Sequence, residues 1–381
     1  MKNKKIILTI IILSLFSCHS RPQTAESKEF STEPERLERY TLTLVAAGDN
    51  LFHDTVIRAS LQGDIPDFTP IYSQVKSIVE NADLAFINQE TVMAGERFGY
   101  SGYPAFNTPQ SLARALADTG FDIINIANNH TMDMGRTGIE ATLDFLDTIK
   151  EFTVIGARKS GESARIITKN NITLGFLSYT YGLNGNTLPA NNPNLVSLIN
   201  RNTMAREIDA LRPLCDFLIV SMHWGEEYQT QPGREQIELA HFLAEHNVDL
   251  IIGHHPHVLQ KAETIVLPNG RKTLCFYSLG NFASNQRERE RIIGAMMAVT
   301  FTKDVSESSP VLSISDSGLI PVVCHFDRSY RNTTVYPLYA YSQELLDNHA
   351  LKNFDRDLSM NFFYSVMERM NIQVFMHNPF K

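Results

Sequence analysis

Short apolar runs alternate with segments of helical spacing along most of the chain. Six runs have the length and composition of buried strands: 41–47, 83–87, 122–127, 153–155, 216–222 and 248–252. Between these runs, apolar residues recur three and four positions apart, as at Ile139, Leu143 and Leu146. This spacing predicts helices at 71–80, 108–118, 138–149, 203–211 and 236–246.

Two turn signals then change the pattern from alternation to hairpins. Asn170-Asn171 separates the runs 165–168 and 172–179, which predicts a β-hairpin. Pro268-Asn269-Gly270 predicts a second hairpin in the same way, and further strands are expected between 293 and 338. Alternation followed by hairpins predicts an α/β fold with mixed sheets and helices outside.

Three segments need separate interpretation. Residues 181–202 are rich in asparagine, and a loop of this length is either functional or a solvated insertion. Residues 286–291 alternate arginine and glutamate, which is typical of a solvated face. Residues 341–381 have helical spacing and are interpreted as a C-terminal extension to a domain of residues 41–340.

The first residues have the pattern of an export signal. Three lysines precede the apolar run 6–16, which is too short for a bilayer core that needs about 20 residues. The run ends in Leu15-Phe16-Ser17-Cys18, which resembles a bacterial lipobox. We therefore interpret 1–18 as a lipoprotein signal with lipidation at Cys18; the alternative is an ordinary signal peptide cleaved nearby. Residues 19–40 are polar and are predicted to be a flexible tether.

Charge and cysteine content limit the partners and the compartment. The net charge is −8, and removal of the leader's lysines makes it more negative, so no general attraction to nucleic acid is expected. Cys215, Cys275 and Cys324 remain beside Cys18. Because three thiols cannot all pair, a disulfide scaffold is excluded, and all three are expected to be buried.

Polar groups that bind metals or move protons follow five of the predicted strands. In open α/β sheets, ligands bind beyond the carboxyl ends of strands, so these groups are expected to converge. The five groups are Gly48-Asp49 with His53, Asn88-Gln89-Glu90, Asn128-Asn129-His130, the run from His223 to Tyr228, and His254-His255-Pro256-His257. On an extended chain His255 and His257 would lie on one side, and His254 would point away from them.

These residues resemble the capsule-synthesis (poly-γ-glutamate synthesis, CapA-like) proteins, a branch of the calcineurin-like metallophosphoesterase superfamily. The resemblance covers about residues 43–285 and rests on motif order and spacing. Its motifs are Gly48-Asp49, Asn88-x-Glu90, Asn128-Asn129-His130-x-x-Asp133-x-Gly135, His223-Trp224-Gly225-x-Glu227-Tyr228, His255-Pro256-His257-Val258 and Ser278-Leu279-Gly280-Asn281-Phe282. The resemblance implies a four-layer α/β/β/α sandwich of the metallo-dependent phosphatase type.

The same resemblance implies roles for the site residues. One or two divalent transition metal ions (Mn, Zn or Fe) would bind a shell of carboxylate, amide and imidazole groups. Asn129 and His130 would take part in catalysis, with His130 as proton donor or stabiliser of the transition state. Glu227 and Tyr228 would orient His223, and Asn281 would hold the loop geometry. The implied metal ligands are Asp49, Glu90, Asn129, His223, His255 and His257.

Some motif residues also have plain structural interpretations. Asp133 is expected to cap the helix near Gly138, and Gly135 to permit the turn before it. Trp224 is expected to pack in the core rather than stack on a substrate. The chain also departs from the superfamily pattern: Asp49 and His53 stand in place of Asp-x-His, and strand two carries Asn88-x-Glu90 where the superfamily has two aspartates.

Two functions remain open from the sequence. The first is an envelope-anchored, metal-dependent hydrolase or transferase acting on a phosphoester or an anionic envelope polymer. The second is a non-catalytic accessory lipoprotein that binds polymer, beside capsule-synthesis membrane proteins. Because the domain is negatively charged, a polyanion would need a metal or an arginine cluster, for which Arg136, Arg201 and Arg234 are the candidates.

Overall fold

The computed structural model describes residues 38–61, 66–161, 163–306, 309–330 and 332–381. The strands of its two sheets are β1 Glu38–Leu51, β2 Leu84–Gln89, β3 Ile123–Asn125, β4 Thr153–Ile155, β5 Arg165–Lys169, β6 Ile172–Thr180, β7 Phe217–His223, β8 Leu250–His254, β9 Ala262–Val266, β10 Lys272–Phe276, β11 Asn281–Ser284, β12 Ile293–Val305, β13 Val311–Phe326 and β14 Thr333–Pro337. The α-helices are α1 Asp54–Ser60, α2 Thr69–Tyr72, α3 Lys76–Asn81, α4 Ser111–Thr119, α5 Gly135–Leu146, α6 Arg201–Leu211, α7 Arg234–Glu245, α8 Gln343–Asn348 and α9 Met360–Glu368.

The strands form two mixed sheets. The first has the order β14-β13-β12-β1-β2-β3-β4, with β11 also paired to β1, and the second has the order β5-β6-β7-β8-β10-β9. The pairs β1–β2, β2–β3, β6–β7 and β7–β8 are parallel. Their carboxyl ends therefore lie at one edge of each sheet, which is where the polar strand-end residues fall.

Alternate residues of the central strands enter different cores, which creates four layers. Leu44 of β1 and Ile219 of β7 belong to the core between the two sheets. Val45 packs with α1 to α5 on the outer face of the first sheet, and Val220 packs with α6 and α7 on the outer face of the second. The predicted α/β/β/α sandwich is confirmed, because each sheet is buried on both faces.

Local turn chemistry agrees with the predicted hairpins. Asn170 and Asn171 both have positive φ, 51° and 58°, as a two-residue hairpin turn requires. The segment predicted as one helix at 71–80 is two short helices, α2 and α3. Cys275 and Cys324 are buried as expected, whereas Cys215 is only half-buried, and all three thiols are free.

The ends of the predicted domain also differ in detail. β1 begins at Glu38, so the last three residues of the predicted tether belong to a strand. The leader, Cys18 and the rest of the tether lie outside the described residues. The C-terminal segment is partly helical, and Leu346, Leu358 and Phe363 pack into the core between the sheets. Of the described helices, none is both long and apolar enough to cross a bilayer.

Candidate metal centre

Asp49 lies at the meeting point of the two sheets and is fully buried. Its Oδ1 accepts a hydrogen bond from Asn88 Nδ2 at 2.8 Å, and its Oδ2 accepts one from the His255 backbone N–H at 3.2 Å. His257 Nδ1 is 3.1 Å from Oδ2. Burial opposes ionisation of Asp49, but hydrogen bonds from His254 and His257 hold its pKa well below the usual value. Asp49 is therefore a carboxylate fixed by both sheets.

His254 was expected to point away from the site, and this expectation is wrong. His254 is fully buried with Nδ1 3.3 Å from Asp49 Oδ1, and its ring stacks on Phe86 with centroids 5.8 Å apart. The chain is not extended beyond this point, because β8 ends at His254 and φ is +98° at His255 and +60° at His257. These sparsely populated conformations bring three histidines toward one carboxylate region.

Glu90 has an environment that is unusual for a carboxylate. It is fully buried, and neither Oε1 nor Oε2 has a hydrogen-bond partner among the described atoms. Oε1 is 3.5 Å from His223 Nε2 and 3.6 Å from His257 Nε2. Burial raises the pKa of Glu90 well above its usual value. Burial alone would lower the pKa of His257, but Glu90 and Asp49 raise it to about 9. A buried carboxylate without hydrogen bonds is costly, so a cation beside Glu90 would relieve a large desolvation penalty.

Three overlapping sets of side chains could hold a metal ion. In each set the candidate ligand atoms lie within 4.8 Å of one another. Glu90 belongs to two sets, as a ligand shared between two ions would, and so do His255 and His257. The sets are Asp49 with Glu90 and His257, Glu90 with His223 and His255, and Glu227 with His255 and His257.

Asn129 joins the second of these sets through His223. Its Oδ1 is 2.8 Å from His223 Nε2, and both side chains are buried. Burial lowers the pKa of His223 well below its usual value and that of His255 to about 3, so both imidazoles are neutral at pH 7. A neutral imidazole is the form that binds metals. Carboxylate, amide and imidazole ligands together suit Mn, Zn or Fe.

Asp133 does not cap a helix, which corrects the structural interpretation of this residue. α5 begins at Gly135, and its first turn has no side-chain cap. Asp133 Oδ2 instead lies 2.8 Å from His130 Nδ1 and accepts a hydrogen bond from the Phe106 backbone at 2.8 Å. Asp133 therefore orients His130, while Gly135 adopts the expected positive φ of 63°.

Comparison with known proteins identifies the family of this chain. The sequence profile of the family described as Bacterial capsule synthesis protein PGA_cap matches residues 43–286. The chain belongs to this family. Capsule biosynthesis protein CapA of Bacillus anthracis is 28% identical over 57% of this chain and 54% of its own length. PGA biosynthesis protein CapA of Bacillus subtilis (strain 168) is 33% identical over 47% of each chain. The chain thus spans about half the length of the curated relatives it matches.

A solved structure is also similar to part of this family member. The 5'-nucleotidase precursor from Thermus thermophilus has a TM-score of 0.43 and 17% identity. The match covers 74% of this chain and 54% of that one. At this level of similarity no activity can be transferred.

Glu227 and Tyr228, which were expected to orient His223, lie beside other histidines of the site. A Glu227 carboxylate oxygen lies within 4.8 Å of ring nitrogens of His255 and His257, and the Tyr228 ring centroid is 6.1 Å from that of His257. Asn281 lies closer to its expected position: its Oδ1 is 3.0 Å from His257 Nδ1, and its Nδ2 donates to the Arg291 carbonyl at 2.9 Å. Trp224 is buried and donates to the Tyr277 carbonyl, so it packs as predicted.

Two residues of the 181–202 loop reach the site without having been predicted there. Tyr181 has its ring centroid 4.6 Å from that of His255. Asn184 Oδ1 accepts a hydrogen bond from Asn129 Nδ2 at 3.1 Å, and its Nδ2 lies 3.3 Å from His130 Nδ1. The length and asparagine content of the loop were the signals, and the functional interpretation of this loop is the one that its contacts favour.

The candidate arginines do not form a cluster at the metal centre. Arg136 pairs with Glu140 at 2.8 Å, and Arg234 pairs with Glu238 at 2.6 Å. Arg201 lies 4.0 Å from the same Glu238. Since each guanidinium already faces a carboxylate, these residues offer little free positive charge for a polyanion.

Proposed function

We propose that this protein is a metal-dependent phosphoester hydrolase, or a transferase of the same chemistry, that serves capsule biosynthesis at the cell envelope. The observation that carries the proposal is Glu90. Its buried and unpartnered carboxylate lies between His223 and His257, within 4.8 Å of the candidate ligand atom of Asp49. Membership of the capsule synthesis family supports a role in capsule biosynthesis. The carboxylate, amide and imidazole groups of the site support metal-dependent chemistry.

The residues present fit a divalent transition metal. Asp49, Glu90, Asn129, His223, His255 and His257 would hold one or two ions. Glu90 gains most from such an ion, because it is fully buried and neither of its oxygens has a hydrogen-bond partner among the described atoms. A bound ion would supply Lewis acidity toward a phosphoryl oxygen and favour ionisation of water at neutral pH.

The chain's own residues would position the substrate and move the proton. Asp133 holds His130 by its Nδ1, which leaves Nε2 as the atom that can give a proton to a leaving oxygen. Phe106 fixes the other side of the ring by an edge-on contact, with centroids 4.7 Å apart. His130 is therefore the proposed proton donor, and Asp133 is a positioning residue.

Metal analysis combined with a phosphoester assay tests the proposal. The full chain purified without chelator should contain one or two equivalents of Mn, Zn or Fe and should hydrolyse bis-p-nitrophenyl phosphate. Asp49→Ala should lose the metal and the activity. Asp133→Asn should keep the metal and lose about 10- to 100-fold in kcat, because His130 loses its orienting carboxylate.

Two results would contradict this function. A chain that binds no metal after reloading would support the accessory polymer-binding alternative. Metal binding without turnover of any phosphoester would leave a metal protein that is not this enzyme.

We place this activity outside the cytoplasm, on a lipid anchor at Cys18. The proposal rests on the lipobox-like ending of the leader in a capsule synthesis protein. Cys18→Ala should move the protein from the membrane to the soluble fraction of lysed cells. Unchanged membrane fractionation of this variant would show that lipidation is not what anchors it.

A further inference from the structure

Three tyrosines on separate loops border the candidate metal centre, and we call them the tyrosine rim. Tyr103, Tyr181 and Tyr228 are 73%, 49% and 39% exposed. The Tyr181 ring is tilted against His255, and it is parallel to His223 within 7° at 6.3 Å. What distinguishes these rings is their position, because all three lie beside the histidines of one site.

The other two rings reach the same site. Tyr228 has its centroid 6.1 Å from that of His257. Tyr103 packs against Phe106 at 6.3 Å, and Phe106 contacts His130. Each exposed ring is thus one or two side chains away from a different histidine of the centre.

The backbone that presents these rings is firmly held. Gly102, directly before Tyr103, donates its N–H to Asp54 Oδ1 at 2.6 Å. Tyr228 has a φ of +66°, a costly conformation for a bulky residue, and its N–H donates to the Pro256 carbonyl at 2.7 Å. Arg291 lies 3.4 Å from the centroid of the Tyr228 ring and fixes its orientation.

Hydrogen-bonding groups lie beside these apolar faces. Asn129 and Asn184 form an amide pair next to His130, and each side chain combines donors with an acceptor. The His53 ring contacts Phe106, and its buried Nδ1 has no partner among the described atoms. A ligand with an apolar ring face, neighbouring hydroxyls and an anionic group would engage the rings, the amides and the metal together.

We infer that the substrate is a carbohydrate that carries an anionic group, with its sugar ring on the tyrosine rim and its anion at the metal centre. This inference rests on the proposed function and specifies its substrate class. A pyranose offers one C–H face for stacking and hydroxyls for the amides. A polyglutamate chain has no ring face for the tyrosines and no hydroxyls for the amides.

Calorimetric titration of the Mn-loaded full chain with two phosphates tests the inference. Glucose 1-phosphate and glycerol 3-phosphate carry the same anion, but only the first has a sugar ring. We expect glucose 1-phosphate to bind about five- to tenfold more tightly, as stacking on aromatic rings predicts. Equal affinities in the wild-type chain would overturn the inference and leave the metal centre in place.

Variants separate ring stacking from other effects. Tyr181→Ala and Tyr103→Ala should reduce the preference toward unity with unchanged metal content, while Tyr181→Phe should keep it. Tyr364→Ala is the matched control, because Tyr364 is 42% exposed on α9. A preference that survives both alanine variants would refute the role of the rim.

Two further measurements identify which idea fails. Adenosine 5'-monophosphate binding at least about tenfold more tightly than glucose 1-phosphate would replace the sugar with a nucleobase and overturn the inference. Absence of metal from the loaded chain would overturn the proposed function and this inference with it.

Discussion

The two edges of the sheets differ in how completely their buried polar groups are hydrogen-bonded. At the amino edge, an aspartate directly precedes each of β2, β3, β7 and β8, and its carboxylate accepts the backbone N–H of the neighbouring strand. These hydrogen bonds are Asp83 with Thr43, Asp122 with Ala85, and Asp216 with Thr173, each 2.8 Å long, and Asp249 with Leu218 at 2.7 Å. Arg212, Arg271 and Lys303 neutralise two of these carboxylates.

At the carboxyl edge, only some of the buried polar groups have hydrogen-bond partners. Glu90 accepts no hydrogen bond from the described atoms, and buried nitrogens of His223 and His255 have no partner among them either. Asp49 and Asp133 at this edge do accept hydrogen bonds, so the contrast with the amino edge lies in Glu90 and the imidazoles. Among the described residues, unsatisfied buried polar atoms are concentrated at the site, on Glu90, His223, His254 and His255, although single ones such as Arg271 Nε lie elsewhere.

The largest expected effect is the loss of metal affinity in the Glu90→Gln variant. Because the variant removes a charged ligand that two candidate sets share, metal affinity should fall by at least ~100-fold in calorimetric titration. The metal-free variant should be no less stable to urea than metal-free wild type, since the carboxylate has no hydrogen bond to lose. Glu226→Gln, at an exposed position near the site, should change neither quantity. Strong destabilisation of the metal-free Glu90→Gln chain would show that Glu90 is structural.

Asp249→Asn should instead lower the stability of the fold and leave metal affinity almost unchanged. It breaks contacts with Arg212 and Arg271 and weakens the acceptor for Leu218 N–H. We expect a loss of about 2–3 kcal/mol in the free energy of unfolding, measured in urea, because two partly buried guanidinium groups lose their carboxylate partner. Metal affinity should stay within about twofold of wild type, and a larger change would mean that the edges are not independent.

The smallest effect should be the pH response of Asp83. Burial opposes its ionisation, but hydrogen bonds from Thr43 and Asn170 outweigh burial and lower its pKa. A depressed carboxyl pKa contributes stability above the unfolded value of about 3.8, and this contribution is lost as pH falls further. Asp83→Asn should therefore flatten the fall in urea midpoint between about pH 4 and pH 2.5, and an unchanged slope would contradict the assignment.

Much of the fold could be predicted because periodicity and turn chemistry are local. The strand ends, the Asn170-Asn171 hairpin and the gathering of Asp49, Glu90 and the histidines follow from short stretches of sequence. The misassigned residues depend on backbone conformation or on distant partners. His254 reaches Asp49 because the chain leaves the strand at His255, and Asp133 meets His130 and Phe106 instead of a helix end. Neither event has a signature in residue spacing.

The part of the chain that matches the family is shorter than the part that forms the first sheet. The family match ends at residue 286, yet β12 begins at Ile293 and pairs with β1 from Glu38 to Ala47. A recombinant fragment cut at the boundary of similarity would lose the strand that pairs with β1 from Glu38 to Ala47, and an open strand edge of this length promotes aggregation. The inactivity of such a truncated protein would thus be mistaken for a loss of catalysis, although the fragment would have lost its solubility.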